Sequence, residues 1–333
     1  MPERPLIAVT LGDPSGIGPE IVAKALVSGS LEPVATVVVV GSAEVLKRAL
    51  VRSGSSLHVE RTSVPPSHVP AGTVSVMDED NVGPAAFPTG RLSAESARAA
   101  HAWIERAARL CLAGDVSAMS TAPVNKEAFR LAGISDTGHQ EVLKRLSHAE
   151  HVATMLVSGK LRCMHLSTHK SLSEACAFVT KENIIGAIRL THTHFISWGF
   201  ANPRIGVAAL NPHGSDGGLI GREEIDEIAP AVEEAQAAGI DATGPHPADS
   251  VFNAAIAGDH DVVVVMYHDQ GHIAIKVHGF EQSVSVNLGL PFVRTSVDHG
   301  TAFDIAGRDI ADETSMIQAV RLASSLALGS GLV

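Results

Sequence analysis

Three cysteines stand in 333 residues, Cys111, Cys163 and Cys176, an odd number with no C-x-x-C pair among them. They read as reduced thiols of a cytoplasmic protein rather than a disulfide frame. Aromatics are equally sparse. With one Tyr and two Trp, the core has to be built from Val, Ile, Leu and Ala, the usual filling of parallel sheets covered by helices. Positive charge is in deficit, 25 Lys and Arg against 36 Asp and Glu, a net of −11. That argues against a nucleic-acid partner, which is bound by neutralising phosphates. A small anionic substrate stays open, because a few local cations outweigh a global field. No apolar run approaches the roughly 18 residues of a membrane helix. The start, Met1-Pro2-Glu3-Arg4-Pro5, lacks the basic segment and apolar stretch of a signal peptide. The expectation is a soluble, cytoplasmic protein with no membrane partner.

What the chain does have is length and alternation. At 45% hydrophobic residues, it can fill two α/β lobes or one large domain. Strands are expected at Leu6 to Leu11, Val34 to Val40, Thr73 to Met77, Val116 to Ser120, Arg204 to Ala209 and Val262 to Tyr267. The last is an unbroken apolar run that suits a central strand. Helices are expected at Pro19 to Val27, Ser42 to Arg52, Ser93 to Ala113, Lys181 to Trp198, Gly221 to Ala238 and Ser315 to Leu328. Ser93 and Asn125 read as N-caps. Ala153 to Leu166 reads as a hairpin turning at Ser158-Gly159. This βαβ alternation implies a mostly parallel sheet with helices on both faces. Ser63 to Gly72, rich in Pro and Ser, reads as a surface loop.

Polar clusters follow strand after strand, where α/β folds hold ligands. Gly12-Asp13-Pro14-Ser15-Gly16-Ile17-Gly18-Pro19-Glu20 joins a strand to a helix. It fails the dinucleotide fingerprint G-x-G-x-x-G, since Ile21 stands in the third glycine's place, and it fails the P-loop pattern. It is either a tight turn or a backbone loop admitting a ligand to a helix N-terminus. His169, His213 and His268 follow three separate strands. Three neutral imidazoles with an open position make a catalytic site for a divalent metal, although any one of them alone would be an ordinary surface or hydrogen-bonded histidine. His139, Lys276 and Arg294 are candidate clamps for phosphate or carboxylate, and Lys276 is an acid or base if buried. Asp298 to Gly307 breaks helical patterning, and its small polar groups suit an adenine and a ribose, or simply a turn.

At these residues the chain resembles the 4-hydroxythreonine-4-phosphate dehydrogenase family of pyridoxal phosphate biosynthesis. The resemblance runs nearly end to end. It rests on the Gly12 to Glu20 segment, Thr137-Gly138-His139, Ser167-Thr168-His169, Asn211-Pro212-His213, Pro247-Ala248-Asp249, Met266 to Gly271 and Gly289 to Ser296. The loop His299-Gly300-Thr301-Ala302 with Asp304-Ile305-Ala306-Gly307 also looks like the adenine loop of isopropylmalate and isocitrate dehydrogenases. The resemblance implies their two-domain α/β/α fold with non-Rossmann NAD binding. Residues 1–125 and 285–333 would form a nucleotide-binding lobe, and 126–284 a metal, substrate and dimerisation lobe. It implies oxidation of a secondary alcohol on a small phosphorylated hydroxy acid by NAD (or NADP), with decarboxylation. His169, His213 and His268 would bind one divalent ion (Zn, Mg, Mn or Co) across a homodimer interface that carries the active site. His139, Gln140, Lys276, Ser285 and Arg294 would hold substrate, and Gly289, His299, Gly300 and Asp304 the cofactor. Asp249, Asp269 and Lys276 are candidates for proton transfer, with the base unassigned among them.

Two departures bear on the substrate. Gln140 stands where the family has Thr, and Ser285 where it has a substrate-contacting Asn, with Asn287 two positions on. Altered recognition beside retained machinery points to a paralogue acting on 4-phospho-threonate or 4-phospho-erythronate as the alternative substrate. Two rivals remain from other classes. One is a phosphate acyltransferase-like enzyme, which would need neither three histidines nor the adenine loop; the other is a catalytically silent metabolite-binding protein.

Overall fold

The computed structural model describes residues 4–80 and 87–332, so Met1 to Glu3 of the N-terminal stretch read above lie outside the described residues. Chain order begins β1 (Leu6–Thr10), α1 (Gly18–Val27), β2 (Thr36–Val40), α2 (Ala43–Arg52), β3 (His58–Thr62), β4 (Thr73–Met77), α3 (Ala94–Ala113), β5 (Ala118–Thr121), α4 (Lys126–Leu131) and α5 (His139–Ser147). It continues with β6 (Ala153–Ser158), β7 (Leu161–His165), α6 (Leu172–Ala177), α7 (Lys181–Ser197), β8 (Ile205–Ala208), α8 (Ala229–Ala237), β9 (Ala242–His246), α9 (Val251–Ala257), β10 (Val262–Val265) and α10 (His268–Gly279). It closes with β11 (Val284–Leu288), β12 (Val293–Val297) and α11 (Thr314–Ala327). The fold is α/β with a mostly parallel sheet, as the alternation implied.

The chain forms two compact units, Met1–Val152 with Leu290–Leu328, and Ala153–Gly289 with Gly329–Val333. In the first, strands run β3-β4-β2-β1-β5-β12, every neighbouring pair parallel. Its core is aliphatic around two large aromatics: Ile7, Leu11, Val38, Val39, Leu46, Ile104 and Met119 pack in one cluster with Trp103 and Phe129. Ser93 caps α3 by accepting from the Ser96 N–H, and Gly114 ends that helix in the left-handed conformation. Asn125 caps α4 through the Ala128 N–H at 2.9 Å.

In the second unit the order is β11-β6-β7-β10-β8-β9. The pairs β11·β6 and β6·β7 are antiparallel, the rest parallel. All four residues of β10 are fully buried, as a central parallel strand requires. In the β6–β7 hairpin Ser158 pairs with Leu161, so the turn falls at Gly159-Lys160, one residue later than expected. The expected helix from Gly221 is a π-helical turn, Glu224–Ile228, running into α8. No helix among the described residues is long and apolar enough to cross a membrane.

Candidate active site

The histidine cluster of the second unit is built at the ends of β7 and β10. The Gln270 side chain fixes the end of β10, accepting from the Met266 N–H at 2.7 Å and donating to the Ala209 carbonyl at 2.8 Å. His268 therefore opens α10. Its ring centroid lies 6.3 Å from that of His169, and its Nδ1 meets Asp269 Oδ1 at 2.6 Å. A carboxylate accepts, so the proton sits on Nδ1 and Nε2 of His268 is the atom left for a cation, the arrangement that orients metal-binding imidazoles.

His213 is not part of this pair. It sits on the turn Pro212–Gly218, where residues 213 to 217 all have φ between 46 and 70°, three of them not glycine. Such backbone costs energy at each non-glycine position and persists only where its surroundings enforce it. Glu224, 2% exposed, supplies the enforcement. Its carboxylate accepts from the Leu210 and Asn211 N–H groups at 2.8 and 2.7 Å and from Asn211 Nδ2 at 2.9 Å. The turn holds His213 outward, its side chain 68% exposed. Among the described residues no three His, Cys, Asp or Glu side chains converge on one point. The chain thus assembles two of the three expected imidazoles, a donor set that fits a divalent cation completed by a ligand from outside this pair.

Helical spacing distributes the rest of α10. His268, His272 and Lys276 recur at i, i+4 and i+8 along one stripe, and Lys276 Nζ lies 5.4 Å from the Phe280 ring centroid. Asp269, Ile273 and Val277 form the adjacent stripe and line a cavity of about 740 Å³ with Asp249, Phe252, Tyr267 and Ile256. Two of the three proton-transfer candidates, Asp249 and Asp269, share that cavity. Ser285 lies on β11 opposite Leu156, on the same face as Asn287.

In the first unit, Arg294 on β12 is 5% exposed and donates from Nη2 to Thr121 Oγ1 at 2.6 Å. Burial draws its pKa down to about 9. His139, the first residue of α5, is held well below the usual imidazole range, chiefly by burial and then by the nearby Arg294, with Lys126 adding to it. Its Nε2 is buried without a hydrogen-bond partner, an acceptor or donor in waiting beside a guanidinium. Gln140 follows it and donates from Nε2 to the Val152 carbonyl at 3.0 Å. Lys126 and Thr121 were not singled out from sequence. Their signal would have been adjacency, since both flank the segment after β5.

The two glycine-bearing loops of this unit meet. The Ile17 N–H donates to the Thr301 carbonyl at 3.0 Å, and a Cβ on Gly16 would lie 2.7 Å from that oxygen, so only glycine allows the approach. Within the loop His299 Nδ1 lies 3.0 Å from the Gly300 carbonyl, and Gly300 and Asp304 are exposed. Gly289, at φ 93°, belongs to the second unit, where its N–H donates to His194 Nε2 at 2.7 Å.

Known proteins match this chain along almost its whole length. It is 42% identical over 98% of its residues to the whole of a D-threonate 4-phosphate dehydrogenase from Salmonella typhimurium. To a 4-hydroxythreonine-4-phosphate dehydrogenase from Geobacter metallireducens it is 41% identical, over 98% of this chain and 97% of that one. The crystal structure of a 4-hydroxythreonine-4-phosphate dehydrogenase from Klebsiella pneumoniae superposes with a TM-score of 0.90 at 42% identity, covering 97% of this chain and 98% of that one. Residues 33–323 match the model of one family. The chain belongs to the pyridoxal phosphate biosynthetic protein PdxA family.

Proposed function

We propose that this chain is a cytoplasmic, divalent-metal-dependent dehydrogenase that uses NAD (or NADP) to oxidise, with decarboxylation, 4-hydroxythreonine 4-phosphate or a closely related phosphorylated hydroxy acid. The observation that carries this reading is the His169–His268 pair with Asp269 behind it. These two imidazoles and His213 of a second copy would hold one ion, Zn, Co, Mn or Mg, with the nitrogen donors favouring the first two. Such an ion supplies a Lewis acid for an alcohol oxygen and for the negative charge left when carbon dioxide departs.

The chain's own residues bind and orient. Arg294, buried and tied to Thr121, offers a guanidinium that an arriving phosphate would hold in its charged form. His139 offers a neutral imidazole in the same unit, and Gln140 and Ser285 would recognise the substrate's remaining polar groups. Asp249 and Asp269, which share a cavity, and Lys276 would be the residues that move the proton. Gly289, His299, Gly300 and Asp304 would hold the cofactor. A homodimer is supported by α10 and the residue that follows it, which turn Ile273 (61% exposed), Val277 (83%) and Phe280 (66%) outward.

The second reading, a 4-phospho-threonate or 4-phospho-erythronate dehydrogenase, is favoured by Gln140, whose amide is tethered to the Val152 carbonyl. One assay tests both. Apo protein reloaded with each metal is given NAD and a panel of 4-hydroxythreonine 4-phosphate, D-threonate 4-phosphate, D-erythronate 4-phosphate and their dephosphorylated forms. Absorbance of reduced nicotinamide should rise with one phosphorylated acid, with carbon dioxide released in step, and His268→Ala should lose metal and turnover together. Silence across the panel, or full turnover without metal, would end the proposal.

A further inference from the structure

Two histidines that no motif singled out stand behind His268. His165 closes β7 at 2% exposure. Its Nδ1 lies 3.2 Å from the Thr154 carbonyl oxygen and its Nε2 3.0 Å from Nδ1 of His272. The proton positions follow from what each atom can do. A carbonyl oxygen only accepts, so His165 carries hydrogen on Nδ1. His272 Nδ1 also lies 3.1 Å from the His268 carbonyl oxygen, so it too carries the hydrogen, which it shares between that oxygen and Nε2 of His165. Two acceptors therefore fix the tautomer and the tilt of the His272 ring.

On its other side that ring lies flat on His268, with centroids 3.6 Å apart and planes 14° from parallel. Asp269 holds the edge of His268 and His272 holds its face. Spacing alone, His-x-x-x-His on one helix, would suggest a pair of metal ligands. The stacking argues otherwise. Ring lone pairs point within their planes, and an ion shared by two parallel planes would sit about half the spacing out of each. Gly271 is the residue that permits this packing, since a Cβ there would meet His165 Nε2 at 2.4 Å and Val265 Cγ2 at 2.8 Å.

We infer that the His165–His272 pair is a positioning device that sets the plane in which His268 presents Nε2 to a divalent cation, without either residue serving as a ligand. This rests on the metal reading proposed above. It predicts tight cation binding only when the stack is intact, a support effect that ordinarily amounts to about ten- to a hundred-fold in affinity.

The test uses full-length protein stripped with a chelator and titrated with Co²⁺, read by calorimetry and by the visible absorption bands of the bound ion. Wild type should take one Co²⁺ per active site and His169→Ala none. His272→Ala should keep the stoichiometry, bind about ten- to a hundred-fold more weakly and shift the bands, while the metal-free melting temperature stays near wild type. His272→Phe restores a flat face on His268 but gives His165 no donor, and it should also bind more weakly than wild type. It carries the comparison if the Ala variant does not fold. Wild-type affinity and bands in His272→Ala would overturn the inference. So would complete loss matching His169→Ala, which would make His272 a ligand. Absence of Co²⁺ uptake by wild type would instead remove the metal reading beneath it.

Discussion

At position 294 a guanidinium is held out of water with Thr121 Oγ1 as its neighbour. A charge-assisted bond to phosphate contributes about 1.5–3 kcal/mol, so Arg294→Ala should lower kcat/KM for the phosphorylated substrate by roughly ten- to a hundred-fold. The KM for the dephosphorylated analogue should move far less, and equal effects on both would show that Arg294 does not read the phosphate. Asp13 makes a different prediction. Burial raises its carboxyl from 3.8 to about 6, in spite of the Ser15 N–H that it accepts at 2.9 Å. The folded form therefore holds the proton more tightly than the unfolded chain. Stability from this group is present below pH 4 and lost as pH rises through about 6. His139 works in the opposite sense: its folded pKa is depressed, so its contribution is present above about 6.5 and lost as pH falls. Asp13→Asn removes the alkaline penalty, at most about 3 kcal/mol. Calorimetry should find a higher melting temperature for the variant at pH 8 and little difference at pH 4, whereas an equal shift at both values would refute the assignment.

Elements show which parts of this molecule are written locally. The capping serine and asparagine of α3 and α4 act through the third residue after them, and the apolar run of β10 needs no partner to be recognised. What escaped sequence reading is set at long range. β9, Ala-Thr-Gly-Pro-His, carries a proline and little apolar surface, and it pairs only as an edge strand beside β8. The sequence places His268 after a strand but does not mark it as the start of α10, because the Gln270 side chain at that turn is held by a tertiary contact to Ala209. Without that start the helical spacing of His268, His272 and Lys276 is not legible. Likewise, His165 and His272 are 107 residues apart, and nothing local marks them as partners. The three histidines proposed as metal ligands are legible in the sequence as residues that follow strands. That only two of them meet is not, because the left-handed turn at His213 is dictated by Glu224, eleven positions on. Glu224→Ala would leave the partly buried Leu210 and Asn211 N–H groups without this acceptor, at up to about 1–3 kcal/mol for each. A melting temperature lowered by several degrees and new proteolytic cleavage between residues 212 and 222 are expected, and an unchanged cleavage pattern would separate the turn's geometry from that carboxylate.

For the whole molecule the decisive question is whether His213 of a second copy completes the proposed metal site. A single chain brings His169 to His268 and sends His213 outward on a left-handed turn, while α10 exposes large apolar side chains. Twofold symmetry would satisfy both features at once, since an isologous contact repeats each donation in both directions. On that arrangement a dimer holds two sites, each with His169 and His268 from one copy and His213 from the other. Val277→Asp places a charge among those apolar side chains and should yield monomers with activity lost, as seen by light scattering and turnover. Complementation separates sharing from mere association. His213→Ala and His268→Ala should each be inactive alone, because every site in either homodimer lacks a ligand. Unfolded together and refolded, they form mixed dimers in which one site takes its pair from the first variant and its third histidine from the second. That site is whole, and its counterpart lacks two ligands. Random pairing makes half of the dimers mixed, so about a quarter of wild-type activity should return. If all three ligands came from one chain, no mixture of these two variants would regain any.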